Sequence, residues 1–377
     1  MSLQTVKIGD IATQDKVIVP PDSTEALSRP YLGLDQIESQ TGKIISYASI
    51  STEGKSTTFA FNESHVLYGK LRPYLNKVAL PEYNGRCSTE IIPLLPSDGV
   101  DREFLAFLLR REDIVAVAMS EKTGSRMPRT DMDVFLNAEV IIPKSIIDQR
   151  QIAAKLKAQL AEVGTARKAL ELQQQEVVNL ANTLIRESIE QTPVIETRLG
   201  EVLEEIKKGI GETWADYPVL GATRGGLAPA KEPPGKYPQR YKPVFCGTVF
   251  YNPMRIMIGS IAFVDDDDEP GITSPDYVAL QGKVGLVDSR WFYYWLRSPY
   301  GEQCINSLAR GAVRERMLFN RLAEGSILLP SYQEQLRVSK SLATLKSMKF
   351  AIQQQLKDLN KIPERLLAKA FDPLSTQ

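Results

Sequence analysis

One stretch of this chain is present twice. Residues 122–143, KTGSRMPRTDMDVFLNAEVIIP, return over 309–330 as ARGAVRERMLFNRLAEGSILLP without a gap. Further pairs keep the same order. VLYGKLRP (66–73) lies over VFYNPMRI (249–256), aligning Tyr68 with Tyr251 and Arg72 with Arg255; FLAFLLR (104–110) lies over WFYYWLR (291–297). KIGDIA (7–12) lies over RLGEVL (198–203), and Asp148-Gln149 over Glu334-Gln335. The chain is therefore two related halves, 1–192 and 193–377. Solenoid and propeller units repeat every ~20–50 residues, so a period this long means that a whole domain has been duplicated.

Each half closes on a segment with helical character. After Pro143, residues 144–192 hold no proline and one glycine, Gly164. Within them Leu156, Val163, Leu170, Val177 and Leu184 recur every seventh position with Ala153, Leu160 and Ala181 beside them, the spacing of a coiled-coil seam. Residues 331–377 repeat the pattern with Val338, Leu345, Ile352, Leu359 and Leu366, flanked by Leu342, Leu356 and Ala370. Such a stripe ordinarily packs on its own domain. Length argues otherwise: from Gln149 to Ser188 a helix extends about 60 Å, past the edge of a domain whose radius of gyration is ~14 Å. The expected partner for each stripe is the other helix, in antiparallel sense, with Pro363 interrupting the second.

The remaining portions, 1–143 and 193–330, mix short apolar strands (HVLYGKL, KVALPEY, EIIPLLP, PVFCGTVFY, GSIAFVD, YVALQG) with one clear helix each, at 102–112 and 289–297. The fold class expected is α+β: two similar globular domains joined by two long antiparallel helices that form a coiled-coil spacer. The 43% of hydrophobic residues supports real cores, and no apolar run approaches the ~18 residues that cross a bilayer. The start, MSLQTVKIGD, has no signal pattern, and Cys87, Cys246 and Cys304 make no disulfide framework; a reducing cytoplasm is the expected setting.

Charge places any nucleic-acid contact locally, since 46 basic residues balance 46 acidic ones. In the duplicated stretch Lys122, Arg126 and Arg129 flank Thr123, Gly124 and Ser125, and Arg310, Arg314 and Arg316 flank Gly311. Glycine permits close backbone approach, and arginine bridges guanine or grips phosphate. The stretch 221–243 carries Arg224, Lys231, Lys236, Arg240 and Lys242 against Glu232 alone. It reads either as a loop following a phosphate backbone or as an ordinary solvated loop.

LYGKLRPYLNK (67–77), IIPKSIIDQRQIA (141–153), LLPSYQEQLRV (328–338) and RLLAKAFDP (365–373) resemble specificity subunits of type I restriction-modification systems, over essentially the full length. The resemblance implies two target-recognition domains (1–143 and 193–330), each followed by a spacer helix (144–192 and 331–377). It implies a split double-stranded DNA target, one half-site per domain, and two methyltransferase subunits with restriction-motor subunits as partners. S-adenosylmethionine, ATP and magnesium would then be used by those partners and none by this chain. Lys70, Arg72 and the matching Arg255 become candidate DNA contacts, against the reading that their stems pack beneath a strand. YNPMRIMIG departs from the Gly-Lys-Leu-Arg-Pro wording, and SYQEQ is one residue shorter than KSIIDQ.

Catalysis finds little support. His65 is the one histidine and lacks a companion Cys or Ser motif. Asn252-Pro253-Met254 lacks the second proline and aromatic of an amino-methyltransferase motif, and no glycine-rich phosphate cradle follows a strand. The run DDDDE (265–269) reads as a solvated loop rather than a cation site. The chain is expected to be non-enzymatic, without a metal of its own, with exposed Lys155, Lys157, Arg167, Lys168 and the glutamine runs 173–175 and 353–355 facing partners. Two other readings remain: a coiled-coil scaffold that links two protein-binding domains without DNA, and a degenerate methyltransferase.

Overall fold

The computed structural model describes residues 1–21, 23–46, 56–120, 127–309 and 316–372. Each module is closed by its own ends. Leu3–Lys7 pairs antiparallel with Glu139–Pro143, and Val194–Arg198 pairs antiparallel with Ser326–Pro330, setting Leu3 opposite Pro143 and Val194 opposite Pro330. A four-residue helix follows each opening strand, Ile8–Ile11 and Leu199–Val202. Next comes an antiparallel four-stranded sheet of one order in both halves. In the first it runs Ala12–Gln14, Ile91–Pro96, Val66–Gly69, Val78–Ala79; in the second, Leu203–Glu205, Val278–Gly282, Val249–Tyr251, Ile261–Phe263. The strands Val66–Gly69 and Val249–Tyr251 are buried throughout, which is why they read as apolar runs without alternation.

The halves diverge elsewhere. The first adds a second four-stranded sheet, in the order Ile18–Val19, Thr58–Phe61, Gly85–Ser88, Tyr31–Leu32. The second instead has two separate pairs, Leu220–Thr223 with Gly226–Pro229 and Lys242–Val244 with Gly271–Thr273.

An aspartate caps the helix on each shared sheet: Asp101 accepts from the Phe104 N–H at 3.0 Å and Asp288 from the Trp291 N–H at 2.8 Å. The sequence suggested one helix per module, at 102–112 and 289–297. In the structure the first ends at Leu109, and each is followed by another, Glu112–Ser120 and Pro299–Leu308. Those second helices bury only Ile114 and Ala118, or Gly301 and Ile305, a stripe too thin to register as a period.

The long helices behave as their pattern requires. Ile146–Glu190 is a continuous helix of 45 residues. The other runs Tyr332–Leu359, stops, and resumes as Ile362–Phe371 with Pro363 in its first turn, where a missing N–H costs nothing. The chain divides into two compact units, Met1–Lys168 with Leu356–Gln377, and Ala169–Gln355. Each unit thus combines one module with helical segments from both halves. In the first, Ala153, Leu156 and Leu160 share a core with Leu366, Leu367, Ala370 and Phe371, and the rings of Phe104 and Phe371 lie 5.2 Å apart. In the second, the Trp291 indole donates to Ser188 at 3.1 Å and the Tyr300 hydroxyl to Glu190 at 2.7 Å. Arg337, held charged chiefly by its hydrogen bond to Glu334, also feels the Glu187 carboxylate. The end of the first long helix and the start of the second therefore both pack on the Ser289–Arg297 helix, the second through Arg290 to Ser339 and Tyr294 to the Leu342 carbonyl, while the start of the first shares a core with the C-terminal helix: the sense is antiparallel.

Along the seam Leu156, Val177, Val338, Leu342, Leu345 and Ile352 are buried, and Leu160, Val163, Leu170, Leu184, Leu356, Leu359 and Leu366 are half-buried. The fully buried positions step off the seven-residue column at two places, to Ile185, Ser188 and Ile189 and to Leu367 and Phe371. The second step follows the break after Leu359, which rephases the last helix.

The repeated glutamine has a structural role in both halves. Gln149 donates its Nε2 hydrogens to the carbonyls of Pro143 (3.0 Å) and Gly99 (3.3 Å), and its Oε1 accepts from the Asp101 N–H (2.9 Å). Gln335 does the same to Pro330 (3.0 Å) and Leu286 (3.1 Å), with the Asp288 N–H (2.9 Å). Both are almost wholly buried. Each ties the start of a long helix to the cap of its module's helix.

Candidate nucleic-acid interface

Several candidate contacts, namely Lys122, Thr123, Gly124, Ser125 and Arg126, and Arg310, Gly311 and Arg314, lie outside the described residues. Arg129 and Arg316 follow them, and the structure shows what they stand beside. After the buried strand Val66–Gly69 the chain turns outward, and residues 128–130 pair with it: Arg72 N–H donates to the Pro128 carbonyl at 2.7 Å and Thr130 N–H to the Lys70 carbonyl at 2.9 Å. In the second unit Met317 N–H donates to the Pro253 carbonyl at 3.0 Å. By sequence match Met317 stands for Thr130 and Pro253 for Lys70, so this is the same staple despite the altered wording. The backbone of Lys70 and Arg72 thus pairs beside that of Arg129, with Leu71 opposite Arg129, and Arg255 and Arg316 flank the matching Pro253–Met317 bond; these are the two basic patches.

Each patch is braced by a carboxylate. Arg129 forks onto Glu90 at 2.9 to 3.1 Å, and Arg316 lies 3.5 Å from Asp276. Glu90 hydrogen-bonds the Arg129 guanidinium and raises its pKa, while 41% of that side chain stays exposed. An arginine fixed on one side offers its remaining N–H groups in a set direction.

Past the staple each unit forms a 3-10 turn, Pro73–Leu75 or Ile256–Ile258. In the first, Leu75 N–H donates to the Arg72 carbonyl (2.9 Å) and Asn76 N–H to that of Pro73 (2.8 Å); in the second, Ile258 donates to Arg255 (3.1 Å) and Gly259 to Ile256 (2.8 Å). Both turns end left-handed, at Asn76 with φ of 50° and at Gly259 with φ of 79°. Arg72 is left-handed as well, at 53°, a conformation that costs a side-chain-bearing residue about 1 kcal/mol or more.

The arginine that ends each capped helix supports the turn. Asn76 Nδ2 donates to the Arg110 carbonyl at 2.8 Å, and the Arg110 guanidinium donates to the carbonyl of Gln40, whose own side chain reaches the Tyr74 carbonyl at 3.1 Å. Burial brings the Arg110 pKa down to about 10. In the second unit Arg297 donates to the carbonyls of Gly259 (3.2 Å), Ile261 (3.0 Å) and Arg224 (2.5 Å). Neither Arg110 nor Arg297 stood out as a site residue in the sequence, although the matched pair FLAFLLR and WFYYWLR ends on them.

The basic stretch 221–243 separates into parts. Arg224 occupies a hairpin turn, with its Nε on the Ile258 carbonyl at 3.1 Å, and the adjacent Gly225 carbonyl receives Lys349 at 3.2 Å. Lys231, Lys236 and Arg240 are exposed. Lys242 donates to the Tyr277 carbonyl at 2.7 Å, and burial lowers its pKa; it serves the fold rather than the surface.

Two expectations need correction or refinement. The acidic run is not a solvated loop. Asp265 is buried against Arg290, whose guanidinium also reaches Asp266 at 2.7 Å, while Lys346 on the second long helix contacts Asp265 at 3.6 Å, Asp268 at 2.9 Å and also Asp267. The run ties the module to the helix, and its Arg and Lys partners, 25 and 79 residues away in sequence, gave no local signal. The matched tyrosines also differ. Tyr68 stacks on Phe135 and hydrogen-bonds Thr130 at 3.1 Å, whereas Tyr251, equally buried, has Met317 in the threonine's place and no partner for its hydroxyl among the described residues. Burial pushes Tyr68 up to about 12 and Tyr251 higher still.

His65 is satisfied by Asn62 at 2.8 Å and Asp15 at 3.0 Å. Among the described residues no group of three His, Cys, Asp or Glu side chains could hold a metal, and no helix is long and apolar enough to cross a membrane.

A duplicated α+β module with antiparallel long helices is an architecture found in solved proteins. Across 98% of both chains the fold matches one from a type I restriction-modification system, solved in a study of its assembly and conformational transition, with a TM-score of 0.70 and 20% identity. It also matches the HsdS subunit from Thermoanaerobacter tengcongensis (TM-score 0.52, 20% identity, 98% of this chain and 97% of that one). The type I S subunit from M. genitalium gives 0.51 and 16%, over 98% of this chain and 96% of that one. In sequence, the specificity subunit of the type I restriction enzyme EcoDI from Escherichia coli is 25% identical over 180 residues, which span 48% of this chain and 39% of that relative. No family model matches the chain. The chain has the fold of type I specificity subunits, and its sequence resembles one of them over 48% of its own length.

Proposed function

We propose that this chain is the DNA-reading subunit of a type I restriction-modification complex. Each module reads one half of a bipartite double-stranded target, and the long helices set the uninspected gap between the halves. The observation that supports the reading is the basic patch built at matched positions, Lys70, Arg72 and Arg129 in one unit and Arg255 and Arg316 in the other, with the Thr130–Lys70 backbone bond of the first repeated as Met317–Pro253 in the second. Phosphate contacts position a protein on the duplex and base contacts specify, so a duplicated patch suits two half-sites. The chain does no chemistry itself in this reading. Methyl transfer with S-adenosylmethionine and ATP- and magnesium-dependent restriction belong to partner subunits, two methyltransferases among them, docked on helix faces such as those of Lys155, Lys157 and Lys168.

The test is a selection from duplexes with randomised half-sites and gap lengths, using the full chain with its methyltransferase partner. Wild type should return two fixed half-sites at one spacing. Inserting four residues, about one turn and ~6 Å, into the Ile146–Glu190 helix should move the gap by one to two base pairs at ~3.4 Å each and leave both half-sites unaltered. Unselective binding, insensitive to salt, would sink the reading in favour of a protein scaffold.

A further inference from the structure

Both turns carry large apolar side chains where folding gains nothing from them. Tyr74 at the centre of the first is 48% exposed; at the second, Met254, Met257 and Ile258 are 65%, 48% and 53% exposed. Single exposed apolar residues are ordinary, but here the same position of the same turn, Tyr74 in one unit and Met257 in the other, is exposed twice. Both turns have a left-handed end, both are held by the arginine that closes the neighbouring helix, and each has an arginine at its start, Arg72 or Arg255. Two left-handed non-glycine residues and a buried Arg110 with no carboxylate partner among the described residues make the first turn costly to hold, and the cost leaves the Tyr74 ring facing outward.

We infer that these turns are apolar reading knuckles, in which Tyr74 in the first unit and Met257 with Ile258 in the second press against bases of the duplex while Arg72 and Arg255 hold the flanking phosphates. This rests on the DNA reading above and deepens it. The surroundings favour nucleic acid over protein as the occupant: the segment entering the first turn carries Lys70 and Arg72 and pairs at Leu71 with Arg129, and at the second turn the Arg224 Nε holds the Ile258 carbonyl. Tyrosine stacks on any base face, and methionine and isoleucine are side chains that proteins wedge between base steps. A rigid turn suits that task, because no ordering cost is added on binding.

The experiment uses the full chain with its methyltransferase partner in the randomised-duplex selection, comparing wild type with Tyr74→Ala, Tyr74→Phe and Met257→Ala. Tyr74→Ala should weaken binding to the selected duplex about fivefold or more and relax preference within one half-site only, while Tyr74→Phe keeps the wild-type profile. Met257→Ala should relax the other half-site and leave the first intact. Both positions are exposed, so thermal melting of all three variants should match wild type. If wild type selects a bipartite site and both alanine variants keep its affinity within twofold and both half-site profiles, the knuckles do not read bases. Loss of methyltransferase association with an unchanged profile assigns the surface to a protein partner and overturns the inference equally. Absence of any selected site with wild type defeats the parent reading, a result distinct from either.

Discussion

Replacing Gln149 or Gln335 by methionine keeps the length of the side chain and removes three hydrogen bonds. Left behind in each unit are two carbonyls and the N–H of the aspartate that caps the module's helix, all interior to the joint. At about 1 kcal/mol net per bond the loss is about 3 kcal/mol, and a unit of this size loses ~2–4 °C per kcal/mol, giving about 6–12 °C. Because the geometry repeats bond for bond, the two substitutions should cost alike. Because they share no partner, the double variant should lose the sum. Differential scanning calorimetry on the full chain reads each unit's transition, and urea titration reads the free energy directly. A loss below about 1 kcal/mol in either single variant, or a strongly unequal pair, would refute the view that these glutamines fasten each long helix to its module.

The matched tyrosines give opposite expectations. Tyr68→Phe should cost about 1 kcal/mol by stranding the Thr130 hydroxyl, while Tyr251→Phe removes an unpaired buried hydroxyl and should leave stability unchanged or raise it, as chemical denaturation will show. The acidic run makes the second unit acid-sensitive. The Cys246 and Arg290 hydrogen bonds lower Asp266 and the Lys346 hydrogen bond lowers Asp267, so their contribution is present above the ordinary carboxylate range near 4 and is lost as pH falls through the depressed folded values. Lys346→Met should flatten that loss in pH-dependent melting curves, and an unchanged slope would count against the pairing. Arg255→Ala should weaken duplex binding in all sequences alike and reduce the salt slope by about one, measured by titration at several salt concentrations.

Much of the architecture was legible in the residues. Duplication, the α+β modules, two long helices and the break at Pro363 each follow from local periodicity or local chemistry, which short-range order writes directly into sequence. Two helices, Glu112–Ser120 and Pro299–Leu308, escaped notice because only a narrow edge of each is buried. The interface was legible only as a set of basic residues. That Arg129 leans on Glu90, that Lys242 is spent on a carbonyl, and that Asp265 is buried beneath Arg290 and Lys346 depends on partners distant in sequence.

By itself, then, the sequence determined that one module exists twice and that each copy ends in a heptad-striped helix, because repeats and periods are properties of neighbouring residues. Only the tertiary structure decided that the helical ends are exchanged, so that Phe371 completes the core around Phe104 while Ser188 meets Trp291. It also decided that YNPMRIMIG, unlike its counterpart in wording, makes the same stapled turn. The reason is physical: backbone hydrogen bonds and buried surfaces can be satisfied by many side-chain wordings, and which groups meet is set by the folded chain as a whole.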